Sequence, residues 1–82
     1  MKTDKELLDL VREENRYTQL SREITLKWHE KVRIPKHKKI KDKKEREQKL
    51  EADNSMVKNL KILISDTQEI DGIIEEEIKS LK

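Results

Sequence analysis

The sequence predicts an all-α protein: an elongated helical hairpin of coiled-coil character, its two long helices joined near Pro35. Three observations lead there. Apolar residues recur at steps of three and four along most of the chain, and nowhere in strict alternation. Good helix formers dominate, with one Gly and one Pro in 82 residues. Charged residues make up 46% and apolar residues 32%, where an ordinary domain is about 45–50% apolar and about 25% charged. Such a balance suits a solvated rod or a disordered chain, and a net charge of only +2 argues against the self-repelling kind of disorder.

The first helix opens at Thr3-Asp4-Lys5-Glu6, which reads as a capping box. Asp4, Glu6 and Asp9 follow where the helix dipole favours acids. Leu7, Leu8, Leu10 and Val11 lead into Tyr17, Leu20, Ile24, Trp28 and Val32, spaced three, four, four and four from Tyr17 onward. This predicts a helix over about residues 3–33. Pro35 lacks a backbone donor and disfavours α geometry at Ile34, so a basic connector is expected over about residues 34–40.

The second helix is expected over about residues 38–82, supported by Lys41–Glu45 and Lys43–Glu47 pairs worth ~0.2–0.5 kcal/mol each. Asp53-Asn54-Ser55 either starts a fresh helix or lies on the wet face of a continuous one. Met56, Leu60, Leu63, Thr67, Ile70, Ile74 and Leu81 then alternate steps of four and three, with Glu77 in the one missing slot. That is a heptad seam. Val57, Ile64, Ile73 and Ile78 widen it, and a widened stripe contacts more than one neighbouring helix. Thr67 in the seam either helps fix register or is a tolerated neutral. Gly72 costs roughly 1 kcal/mol relative to Ala in a helix interior; it either admits a close neighbour or breaks the helix, and the seam around it favours continuity.

A bend near Pro35 gives unequal arms of ~46 and ~66 Å. The Tyr17–Val32 stripe would then fold back only onto residues 36–49, the least apolar in the chain. The seam beyond Met56 would be left for partner chains. A single module this small rarely builds a core worth more than ~3–5 kcal/mol unaided. With no cysteine, disulfides and thiolate metal sites are excluded and a reducing, intracellular compartment is compatible. No run reaches the ~18 apolar residues of a membrane span, and MKTDKELLDL lacks the apolar core of a signal peptide. Acids, not bases, flank the apolar seam, which argues against a membrane-surface helix. The remaining source of stability is protein partners, identical or different.

Catalysis and cofactors are not expected. Asp71 and Glu75-Glu76-Glu77 sit on an exposed flank with no apolar pocket to raise a pKa, and Ser21, Ser55, Ser65 and Ser80 have no base in a triad arrangement. His29 and His37 have neither a third His nor a Cys to complete a zinc site.

Charge is segregated: residues 1–26 carry net −1, residues 27–49 net +7 and residues 50–82 net −4. The basic segment 31–49 offers Lys31, Arg33, Lys36, Lys38, Lys39, Lys41, Lys43, Lys44 and Arg46 as a patch. It reads as a solvated connector, as a phosphate-binding surface acting through counterion release, or as a short nuclear-import signal around Lys38-Lys39-Ile40-Lys41. Asp42, Glu45 and Glu47 interrupt the run and no aromatic stacks within it, which weighs against nucleic acid. The expected function is a structural coiled-coil subunit of a multi-protein assembly, with the lysines pointing to a nuclear, chromosome-associated (centromere-like) scaffold; the alternative is a nucleic-acid-binding helical module. The expected partner interface comprises Leu10, Tyr17, Leu20, Ile24, Trp28, Met56, Leu60, Leu63, Ile70, Ile74, Ile78 and Leu81.

Overall fold

Thr3 stands in extended backbone and its hydroxyl accepts the Glu6 N–H at 3.2 Å, satisfying one of the orphan donors that open a helix. From there α1 spans Asp4–Trp28. The computed structural model describes residues 2–81 and is an all-α hairpin, a rod of 60 × 17 × 17 Å.

The first arm does not end ahead of Pro35. His29–Arg33 form one π-turn, in which the Ile34 N–H reaches back five residues to the His29 carbonyl. A proline ring collides with the carbonyl one turn earlier in a regular helix, and the wider π-turn relieves that crowding. Pro35 then sits in the first turn of a short α2, Ile34–Lys38, where a missing N–H is tolerated. The expected connector at residues 34–40 is therefore displaced toward the C-terminus. The chain reverses at residues 39–42, and the predicted helix 2, from about 38, begins at 43.

That reversal is closed by specific bonds. The Lys39 and Ile40 N–H groups each reach back 3.2 Å to Lys36 and His37 carbonyls. The Arg46 guanidinium donates to the Ile40 carbonyl at 3.1 Å, and the Asp42 carboxylate caps α3 by accepting the Glu45 N–H at 3.0 Å. α3 spans Lys43–Ser80, unbroken through Asp53-Asn54-Ser55 and through Gly72. A Cβ added at Gly72 would meet nothing within 4 Å, so no neighbour uses the space. The expected end of this helix at Lys82 lies outside the described residues.

The later bend makes the arms nearly equal, correcting the unequal pair expected from Pro35. The C-terminal half of α3 thus lies beside α1 instead of overhanging it. From α3 the interior seam takes Leu50, Asp53, Val57, Leu60, Ile64, Thr67, Asp71, Ile74 and Ile78, all buried or half-buried. These keep an uninterrupted alternation of threes and fours, a heptad seam rotated from the predicted one.

From the first arm the facing positions are Leu8, Arg12, Asn15, Gln19, Arg22 and Leu26 of α1 and His29 of the π-turn, again at steps of four and three. They are mostly polar. Among the described residues only Leu60 (7% exposed) and Ile74 (5%) are fully buried apolar residues. Polar side chains take the place of a thicker core by bonding to the opposite helix. The Asn15 amide donates to the Thr67 carbonyl and Arg22 to the Leu63 carbonyl, both at 2.8 Å. Arg16 bridges Asp71 at 3.1 Å and Glu75 at 3.2 Å; the hydrogen bond to Asp71, then its charge, raises the Arg16 pKa. Buried Thr67 satisfies its own hydroxyl by donating to the Ile64 carbonyl at 2.7 Å.

Candidate functional site

Two residues along an α-helix is roughly 200° of rotation. Leu10, Tyr17 and Ile24 each stand two positions after Leu8, Asn15 and Arg22, which face α3. They therefore point away from the hairpin, and Leu20 and Trp28 fill the same outward face. All five are exposed, Tyr17 most of all at 65%. Val32 continues the exposed stripe into the π-turn. A shallow groove lined by Asp9, Arg12, Glu13, Arg16, Tyr17 and Leu20 runs beside its centre.

The predicted residues of α3 divide. Leu60 and Ile74 are buried in the hairpin seam, and Ile78 is half-buried there. Met56, Leu63 and Ile70 each precede a seam residue by one position, about 100° round the helix, and are exposed on its flank with Ile73. Leu81, also exposed, lines a groove with Leu7, Leu8 and Val11 at the free end of the rod. The twelve expected interface residues thus fall on four surfaces: the outer face of α1, one flank of α3, the inside of the hairpin and, for Leu81, the groove at the free end.

The basic segment forms the closed tip. Lys31, Lys36, Lys38, Lys39, Lys41, Lys43 and Lys44 are exposed. Arg33 is exposed as well, but it and half-buried Arg46 have internal partners. Arg33 pairs with Asp53 at 3.3 Å and holds its guanidinium 5.2 Å from the Trp28 ring centre. Arg46 is spent on the turn.

Behind the tip lies a buried polar cluster whose roles sequence reasoning did not assign. Asp53 is 3% exposed, with one carboxylate oxygen on Arg33 and the other on His37 Nδ1. His29 and His37, both buried, face α3 together. Eight residues separate them, and the π-turn absorbs one, so they recur as a heptad pair would. The Trp28 ring meets His29 edge-on at 4.9 Å. A signal was present: Asp53 follows Leu50 by three and precedes Val57 by four, a seam position for an acid. Among the described residues no cluster of three or more His, Cys, Asp or Glu can hold a metal ion, and no helix is long and apolar enough to cross a membrane.

No protein-family model, curated protein or solved structure matches the chain.

Proposed function

We propose that this chain is a structural, non-enzymatic coiled-coil subunit that docks through the outer face of α1 onto helices of other chains. One observation carries the reading. The most apolar stripe of α1 faces solvent while its more polar stripe faces α3. A hairpin built to stand alone would turn Leu10, Tyr17, Leu20, Ile24 and Trp28 inward. Each fully buried residue of this kind contributes roughly 1.5–3 kcal/mol, and among the described residues that full gain is made inside the hairpin only at Leu60 and Ile74. Sedimentation equilibrium with circular dichroism over a concentration series tests it. Helicity that rises with association, or a largely unfolded chain awaiting a different partner, supports the reading. A fully helical monomer, cooperative and indifferent to concentration, overturns it.

The exposed lysines of the tip favour a nuclear setting for this subunit and sustain the second reading, a nucleic-acid-binding module. Titration with duplex DNA and single-stranded RNA at two salt concentrations separates the two. Phosphate binding predicts an affinity falling steeply with salt; negligible binding at low salt leaves the structural subunit.

A further inference from the structure

We infer that the occupant of the α1 outer face is α1 of a second copy, packed antiparallel about a two-fold axis that passes between Tyr17 and Leu20. This rests on the docking role proposed above and specifies its partner. The argument is charge complementarity along the rod. Folding the chain at residues 39–42 gathers the net +7 of residues 27–49 at the tip, and places the net −1 of residues 2–26 and the net −5 of residues 50–81 along the shafts leading to the free end. The rod is 60 Å long, whereas salt screens charges beyond about 8–10 Å. Only local neighbours matter, so the ends cannot average out. A parallel pair would lay tip on tip, net +7 against net +7. An antiparallel pair lays each tip against the acidic first turns of the other α1.

The stripe allows this geometry. A two-fold interface must be self-complementary, and the stripe from Leu10 to Trp28 is apolar at both ends, with Tyr17 and Leu20 straddling its centre. In the register that opposes Leu20 to Tyr17 of the second copy, Trp28 comes beside the second copy's Asp9-Leu10 and Lys31 opposes its Glu6. Lys31 and Glu6 are both exposed and in no ion pair among the described residues. They are therefore available to pair across the axis, once on each side.

The chain has no cysteine, so Glu6→Cys and Lys31→Cys variants give unambiguous cross-links. The expected result is a monomer–dimer equilibrium in sedimentation, with disulfide formed when the two variants are mixed and little when either is oxidised alone. In parallel, Lys31→Glu weakens the dimer about three- to tenfold, as expected for repulsion at two symmetric exposed pairs, and adding Glu6→Lys in the same chain restores it. Cross-linking of each variant to itself, or a dimer indifferent to both charge variants, overturns the antiparallel pairing and leaves the docking role standing. A monomer that stays unfolded at every concentration does the same, pointing to a different partner. A stably helical monomer at every concentration overturns both.

Discussion

Asp53 and His37 meet across the bend as a buried carboxylate–imidazole pair, with Arg33 on the other oxygen of the same carboxylate. Asp53 is thus the residue that ties the closed end of the first arm to α3. Truncating it to Ala leaves buried His37 without its partner, and an unsatisfied buried polar group costs about 1–3 kcal/mol. We expect Asp53→Ala to lower stability by about that amount in thermal or denaturant unfolding. Asp53→Asn, which keeps an acceptor, should lose less. Equal losses for the two variants would mean that hydrogen bonding at this position is not what matters.

Gly72 offers the opposite sign. It lies in the middle of a regular helix, its added Cβ would touch nothing, and its backbone has no positive φ. Nothing in the structure requires glycine there. Gly72→Ala should stabilise the chain by about 0.5–1 kcal/mol, the usual difference in a helix interior. A higher denaturant midpoint at unchanged slope is the expected readout. A loss of stability would show that the helix bends or is approached at this point in the assembled state.

The helices themselves were legible because their signals are local. Thr3 capping Glu6 and the three-four spacing of apolar residues act within a turn or two of chain. The joint was not legible from Pro35, because a π-turn of ordinary residues, His29–Arg33, accommodates the ring without ending the helix. The division of the apolar residues between inside and outside was hidden for a different reason. Hydrophobicity alone puts Leu60, Ile74 and Ile78 in one class with the Tyr17–Trp28 stripe, yet Asn15 and Arg22 reach carbonyls of α3 and hold the other face of α1 inward against those three. Asp53 was masked in the same way: Asp53-Asn54-Ser55 reads as a fresh helix start or as a wet face, whereas the spacing of Asp53 to Leu50 and Val57 puts it in the seam.

This inside–outside assignment is itself testable by a pair of substitutions on one helix. Asn15 bonds the Thr67 carbonyl within the hairpin, whereas Leu20 faces outward. Asn15→Ala removes one net hydrogen bond and should cost about 0.5–1.5 kcal/mol at any protein concentration. Leu20→Gln should change unfolding of the dilute chain by no more than about 0.5 kcal/mol, as surface substitutions do, while weakening association in sedimentation. If Leu20→Gln destabilises the dilute monomer as much as Asn15→Ala does, the stripe is packed inside and the two faces of α1 have been assigned the wrong way round.

The lysines of the tip should be separable from the fold in the same manner. Lys38, Lys39 and Lys41 are exposed and make no ion pair among the described residues. The reversal beside them is held by backbone bonds, by Asp42 and by Arg46, none of which involves a lysine side chain. Replacing all three by Gln removes three positive charges and keeps good helix formers where helix is needed, so helicity and unfolding should be nearly unchanged. If the subunit works in the nucleus and these residues take it there, a fluorescent fusion of the triple variant should lose nuclear accumulation while the unaltered chain retains it. Undiminished accumulation of a folded triple variant would remove the targeting role and leave the tip as a solvated cap on the rod.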